Sequence, residues 1–549
     1  MPTIKNKKMI DLIKRSDWLV TAIIIPWVIV SRLPAILCSE ELNVDESLFA
    51  ACGMRYSISY IPWYSFDSGS SGPLNTLPFY LASLVFGNLN YHHIHFLASL
   101  VVILVVYATW RTLRLITSKR IAVLSTLNTL AFIALAQDPD FVHFSSELIP
   151  IALFSFATYF FVISANSKHV PSLIWVCLAM VLAGAAPWAK LQSSPISLLF
   201  YCYGGICVWQ KRDGALQQSK RITRSFLLLS FSFLLPSISL ALIILLGGGW
   251  QDFWKSYIQS NLLYAQGTGI SSLFSRFIYL FFDIRTGRLP LLIAVSSFFF
   301  FWIFSGRPGW RTSSRSQQVF LAFIVTYLAV AIFAVLKPPY NFFHYQWFLL
   351  HPSFICCALI LDSFSRTQMP LENVGYRSAM PSVESWFVLF FIGLYLTVLM
   401  NGLRGVKAVL ALKPDPFVET VALKIREYRG DGMQLGIWGW SPSLYLQTGL
   451  IPASRHLVTY YAIEPSPNRD YFRSKLLDDL RSCMPKVFVD TIAPGFFKWK
   501  WTEADRLDGF GELNRFISDN YKLAEELSRS DGLDPVRIYV LKGVDSEYR

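Results

Sequence analysis

The chain is poor in charge: only 15% of its 549 residues are Asp, Glu, Lys or Arg, whereas 53% are hydrophobic and 16% aromatic. A soluble protein of this length would divide into several domains with charged surfaces, so the shortage excludes that class and points to a lipid-solvated chain. The eight cysteines form no CxxC pair and no Cys/His zinc spacing, which excludes a disulfide framework and a zinc-finger type of site. Walker and GxGxxG elements are missing, which leaves no recognisable loop for a nucleotide. There is no internal repeat and no low-complexity segment. No small-x-small cleavage pattern precedes Cys38, and Leu37 spoils a lipoprotein-type signal there. The basic stretch Met1–Arg15 and the apolar run that follows it are therefore read as a signal anchor.

What is abundant is apolar sequence in long runs. Crossing a hydrocarbon core of about 30 Å takes roughly 20 residues of helix, because every backbone polar group must be satisfied within the segment. By that measure the chain holds about eleven spans. They cover residues 17–38, 93–116, 121–137, 147–165, 170–188, 194–209, 225–246, 288–305, 318–336, 345–362 and 385–403. Basic clusters fix the orientation. Lys5, Lys7, Lys8, Lys14 and Arg15 precede the first span, Arg111, Arg114, Lys119 and Arg120 separate the second from the third, and Lys211, Arg212, Lys220, Arg221 and Arg224 precede the seventh. The net charge of +13 is thus a set of cytoplasmic anchors rather than a nucleic-acid surface.

An odd span count with a cytoplasmic amino terminus puts the long loops 39–92, 138–146, 247–287 and 337–344, and everything after Gly402, on the outer side. The expected fold class is an α-helical polytopic membrane protein. Its transmembrane domain covers 1–404, including an outer loop 39–92 with interfacial helices around 48–58 and 74–86. A small extracytoplasmic α/β domain covers 405–549. In that tail, helix-like segments (416–428, 469–481, 512–528) alternate with strand-like runs (434–440, 456–461, 486–490, 536–541).

Four outward segments carry chemistry. In Asn43-Val44-Asp45-Glu46-Ser47, just beyond the first span, Asp45 is a candidate general base, because a carboxylate where bilayer meets water can take the proton of an acceptor hydroxyl. The alternative is a solvated loop acid or a helix cap. In Asp138-Pro139-Asp140-Phe141-Val142-His143-Phe144-Ser145-Ser146-Glu147, the acids and the imidazole could ligate a divalent cation, with Asp138, Asp140 and Glu147 as candidate ligands, or position an acceptor. Otherwise the segment is a loop in which a serine caps the next span. Glu147 opens a span and should face a polar cavity. In Pro187-Trp188-Ala189-Lys190-Leu191-Gln192, the lysine runs against the positive-inside bias and suits a phosphate, although snorkelling to headgroups also accounts for it. Arg285 and Arg288 fall in the same category. In Lys337-Pro338-Pro339-Tyr340-Asn341-Phe342-Phe343-His344-Tyr345, His344 could donate to phosphate or anchor at the interface. His92, His93 and His95 fit an interface belt better than a metal site.

Taken together these runs resemble the GT-C superfamily of polyprenyl-phosphate-sugar glycosyltransferases, which includes protein O-mannosyltransferases and the lipid A aminoarabinose transferase. The resemblance covers the membrane region. It is carried by Asn43-Val44-Asp45-Glu46, Ser70-Ser71-Gly72-Pro73-Leu74-Asn75, His143-Phe144-Ser145-Ser146-Glu147 and Ala189-Lys190-Leu191-Gln192, with Tyr340 to Tyr345 and Ile437-Trp438-Gly439-Trp440-Ser441-Pro442 also familial. It implies an inverting transfer on the outer face of a bacterial inner membrane, from a polyprenyl-phosphate-linked sugar to a glycan or glycolipid. Asp45 would take the acceptor proton with help from Glu46. Lys190, Gln192, Arg285, Arg288, His344 and Tyr345 would hold the donor phosphate, and His143 and Glu147 would contact substrate. Some relatives need a divalent cation such as Mg or Mn. The tail lacks an insert of β-trefoil size, which argues against a protein acceptor. A lipid-carrier flippase or transporter is the rival reading. It predicts ionisable residues midway along spans and related halves.

Overall fold

The computed structural model describes residues 4–166, 172–210, 218–265, 270–282, 315–340, 342–367, 399–400, 402–493, 505–528 and 535–543. The expected span 288–305, nearly all of 385–403, and the candidate cations Arg285 and Arg288 lie outside these residues. The helices that matter below are α1 (Ile4–Ser31), α2 (Val44–Arg55), α3 (Leu77–Phe86), α4 (Tyr91–Ile116), α5 (Lys119–Leu135), α6 (Pro139–Val142), α7 (Leu148–Asn166) and α8 (Ser172–Ala185). They continue with α9 (Ser194–Gln210), α10 (Gln218–Leu246), α11 (Ile270–Phe282), α12 (Arg315–Leu336), α13 (Trp347–Thr367), α14 (Pro416–Tyr428), α15 (Arg469–Cys483) and α16 (Gly511–Asn520). Each expected span from 17 to 246, and those at 318–336 and 345–362, coincides with one of these helices. Among the described residues, five helices are long and apolar enough to cross a membrane: Tyr91–Ile116, Leu148–Asn166, Thr223–Leu246, Ser316–Leu336 and Phe343–Asp362. The chain is an integral membrane protein.

The chain divides into two compact units. The first comprises Met1–Leu37, His95–Ser239 and Leu263–Ala411. Its helices pack through a continuous aromatic core, in which Phe200 lies 4.9 Å from Phe154, 5.0 Å from Phe323 and 5.1 Å from Tyr327 between ring centroids, and Tyr203 stacks on Phe323 at 4.0 Å. Lipid tails are as apolar as these rings, so shape and small residues decide the contacts. Gly184 shows this: a Cβ there would lie 1.9 Å from the carbonyl oxygen of Phe233, so only glycine lets α8 and α10 approach so closely. Polar side chains tie the helices elsewhere. Trp27 donates to the Leu130 carbonyl at 3.0 Å, and Asp362 accepts from the Ser118 amide, capping α5 from α13 at 2.8 Å.

The second unit comprises Cys38–Ile94, Leu240–Leu262 and Leu412–Arg549. A five-stranded sheet forms its centre, with strands β1 (Gln434–Trp438), β2 (Ile451–Pro452), β3 (Val487–Asp490), β4 (Tyr521–Leu527) and β5 (Val536–Leu541) in the order β2-β1-β3-β5-β4. β1 is parallel to β2 and β3, whereas β3, β5 and β4 run antiparallel. The helices expected at 416–428 and 469–481 are present as α14 and α15. Two expectations for this region fail. Residues 512–528 were expected as one helix, but α16 stops at Asn520 and Tyr521–Leu527 is the edge strand β4; pairing with β5 overrides the helix propensity of Glu525 and Glu526. The strand expected at 456–461 is a loop followed by the short helix Tyr460–Ile463, and the strand lies earlier, at Ile451–Pro452.

Within this unit the sequence-distant pieces are joined by buried polar groups. Arg455 forms a bidentate pair with Asp479, 2.7 Å at its closest, and reaches Asp252 at 3.1 Å. His456 contacts Asp67 at 3.0 Å, the Tyr471 hydroxyl donates to Asp252 at 2.9 Å, and Arg55 donates to the carbonyls of Ser65 and Pro452. Burial by itself would lower the Arg455 guanidinium's affinity for its proton, but the two carboxylates beside it outweigh that and raise it. The turn after β1 requires glycine: Gly439 has φ +125°, and a Cβ on it would meet the Thr491 hydroxyl at 2.2 Å.

Candidate active site

In the first unit, three short loops bring titratable side chains together. The first begins with Asp138-Pro139, an N-cap followed by proline at the first helical position, which starts the single turn α6. The Asp138 carboxylate accepts from the Asp140 amide at 2.9 Å through Oδ1. Burial raises the Asp138 carboxyl, and that amide partly offsets the rise. The second loop holds Lys190 between two 3-10 turns, Ala186–Trp188 and Leu191–Ser193. The third is the buried 3-10 turn Phe343–Gln346, which leads into α13 and carries His344 and Tyr345.

Asp140 links the first loop to the third. Its Oδ2 accepts from the amides of Phe343 at 2.8 Å and His344 at 3.3 Å, while Oδ1 accepts from His344 Nδ1 at 2.8 Å. Burial alone would raise the Asp140 carboxyl, but the His344 ring outweighs it and holds the group at about 2. The other face of His344 looks at Glu147, with Nε2 4.0 Å from Oε2. Glu147 is fully buried, and its second oxygen takes Lys190 Nζ at 3.0 Å and the Ser146 hydroxyl at 3.1 Å. Lys190 also donates to Ser146 at 2.5 Å and lies over the Tyr345 ring, 5.2 Å from its centroid. Gln192 reaches the Ala334 carbonyl at 2.6 Å instead. The result is a row that alternates acid and base, Asp140, His344, Glu147 and Lys190. Glu147 Oε2 has no hydrogen-bond partner.

A divalent metal fits part of this row. Asp140, His143 and His344 offer ligand atoms within 4.8 Å of one another. His143 Nδ1 lies 3.2 Å from the Pro139 carbonyl, so that nitrogen carries the hydrogen and Nε2 carries the lone pair. Two imidazoles and one carboxylate suit a borderline ion such as zinc better than magnesium. The candidate ligands read from the sequence were Asp138, Asp140 and Glu147. Of these, Asp140 is in the group, whereas Asp138 and Glu147 are not part of it.

In the second unit, Asp45 sits half-buried in the first turn of α2, where Asn43 caps the helix by accepting the Asp45 amide at 3.0 Å. Glu46 is buried, and its Oε1 accepts the Leu42 amide at 2.7 Å, in the manner of a capping box. The sequence reading missed Glu41, whose Oε1 is shut off from solvent. Burial, reinforced by the neighbouring charges of Glu46, Asp45 and Glu40, pushes its carboxyl up to about 7. A carboxyl raised on folding holds a proton that the unfolded chain would release, so stability falls as pH climbs from the ordinary value of 4.5 to about 7. Glu41→Gln is therefore expected to stabilise the protein by on the order of 1 kcal/mol at about pH 8 and to give no gain at about pH 4. Thermal unfolding in detergent at the two pH values measures this, and an equal gain at both would refute it.

Two buried or half-buried arginines of the first unit also went unnoticed in the sequence. Arg276 on α11 donates to the carbonyls of Leu336 at 2.6 Å, Tyr340 at 3.0 Å and Pro338, tying that helix to the end of α12. Arg32 was hidden inside an apolar run.

No protein-family model matches the chain, and no curated protein matches it. Among solved structures, the chain is similar to the crystal structure of ArnT from Cupriavidus metallidurans bound to undecaprenyl phosphate, at 12% identity and a TM-score of 0.55 over 95% of this chain and 97% of that one. The apo state of the same protein matches at 12% identity and 0.54 over 96% and 98%. The chain shares the fold of that protein, a GT-C-like fold. An oligosaccharyltransferase from Archaeoglobus fulgidus tethered with an acceptor peptide also matches, at 11% identity and 0.49, over 95% of this chain and 74% of that one. The row from Asp140 to Lys190 lies in short loops at helix ends of this fold.

Proposed function

We propose that this chain is an inverting glycosyltransferase of the bacterial inner membrane, transferring a sugar from a polyprenyl-phosphate carrier to a glycan or glycolipid on the extracytoplasmic face. The observation that carries the reading is the row Asp140, His344, Glu147 and Lys190, the last three of them buried, at the ends of helices in a GT-C-like fold. Buried charges are costly unless paired, and a polar row of this kind beside lipid marks a site by default. In the reaction the acceptor hydroxyl oxygen forms a bond to the anomeric carbon while the bond from that carbon to the phosphate oxygen breaks. The electron pair leaves on the polyprenyl phosphate, and the hydroxyl proton passes to Asp45. Glu46 holds the turn that presents Asp45. Lys190, His344 and Tyr345, joined by Arg285 or Arg288, stabilise the departing phosphate. A metal held by Asp140, His143 and His344 would add positive charge for that phosphate. The span count of about eleven and the tail from 405 as an extracytoplasmic domain belong to the same reading.

The test is to incubate the purified chain in nanodiscs with a panel of polyprenyl-phosphate sugars and membrane glycolipids. A glycosidic product of inverted configuration is expected. Carrier movement across the bilayer with no such product would overturn the proposal in favour of a flippase.

A further inference from the structure

Arg32 is fully buried between α1 and a short turn of helix, and among the described residues it meets no carboxylate. A guanidinium is an expensive group to place there, so the structure has to account for it. Its Nη1 donates to the Val142 carbonyl at 2.9 Å and its Nη2 faces the Phe141 carbonyl at 3.5 Å. These are the last carbonyls of the one-turn helix α6, groups that no residue of that turn can satisfy. The guanidinium also lies over the Trp347 ring, 5.6 Å from its centroid, and Trp347 in turn stacks on Phe141 at 4.2 Å with 5° between the planes. Phe141 further meets Phe343 at 5.2 Å and Phe132 at 5.6 Å.

The two faces of α6 therefore do different things. Phe141 and Val142 are clamped by Arg32 and Trp347, whereas Asp140 and His143 point to His344, three residues before Trp347. One cation thus fixes the carbonyl end of the turn that carries two of the three candidate ligands, and it rests on the indole next to the third.

We propose that Arg32 is a positioning residue, which sets the α6 turn so that Asp140 and His143 meet His344; its catalytic consequence rests on the glycosyltransferase reading above. Its role would be exerted through the turn and not by contact with substrate or metal. A planar fork can grip two carbonyls and lie on an indole at once, which a lysine can do only in part.

The test uses the purified full chain as parent, Arg32→Met, Arg32→Lys and, as a control for removing a cation elsewhere in the same unit, Arg114→Met. Hydrogen exchange of residues 138–147 is expected to quicken by roughly tenfold or more in Arg32→Met, to recover partly in Arg32→Lys, and to stay at the parental rate in Arg114→Met. Zinc affinity, titrated with the metal alone, should fall by about 10- to 100-fold in Arg32→Met. Where transfer is measurable, kcat should fall while the donor KM stays near the parental value. Parental exchange and zinc affinity in Arg32→Met would overturn the proposal. So would quickened exchange spread evenly over α4, α5 and α13, which would mean a merely structural role. A parent without transferase activity that still shows the localised exchange change would refute the enzyme reading and leave the positioning role standing.

Discussion

Asp45→Asn is expected to lower kcat by about 100- to 10,000-fold while leaving the donor KM within a few-fold of the parent, as befits loss of a general base rather than of a binding group. The substitution is nearly isosteric, and the helix it sits on should survive. Asn43 makes the capping bond through the Asp45 amide, which Asn supplies equally well. Glu46→Gln is the internal control. Its carboxylate accepts the Leu42 amide, so its replacement should act mainly on stability, by about 1 kcal/mol, and only weakly on kcat. Product formation over time with a fixed donor measures both. Equal kcat for parent and Asp45→Asn would remove Asp45 as the base, whatever the fate of the rest of the site.

Lys190→Met should be the most damaging single change to folding in the first unit. It leaves the Glu147 carboxylate fully buried with the Ser146 hydroxyl and a distant imidazole as its remaining neighbours. Removing one partner of a buried pair costs about 3–5 kcal/mol, much of it the stranded charge. The double change Lys190→Met with Glu147→Gln removes that charge and should restore most of the stability, so the two substitutions will be strongly non-additive. Transfer should stay low in the double variant, because the phosphate would still lack its cation. Unfolding midpoints in detergent and kcat, measured on all three variants, separate the two effects. Additive losses would mean that the pair is not coupled.

How much of this could be read beforehand depended on range. Long helices were legible because a run of apolar residues is a local signal, and each span expected between 17 and 246 coincides with a described helix. Asp140, His143, Glu147, Lys190 and His344 were each noticed singly, since acids and cations at span ends stand out. Who pairs with whom was not legible. Nothing local says that Asp140 bonds to a residue 204 positions later, or that Lys190 answers Glu147 rather than a lipid headgroup. Arg32 and Arg276 escaped because their partners are backbone carbonyls, which carry no sequence identity. Residues 521–527 were misjudged because glutamates favour helix locally, while the strand exists only through its pairing with β5.

The joints of the second unit bear on how the chain is made. Arg55, Asp67 and Asp252 leave the ribosome long before Pro452, Arg455, His456 and Asp479, which are their partners or share them. During that interval the early groups lack these late partners, so the segment 38–94 cannot complete its joints until translation is almost complete. A premature stop ahead of residue 452 would therefore release an early segment without its late partners, a substrate for quality-control proteases rather than a smaller folded unit.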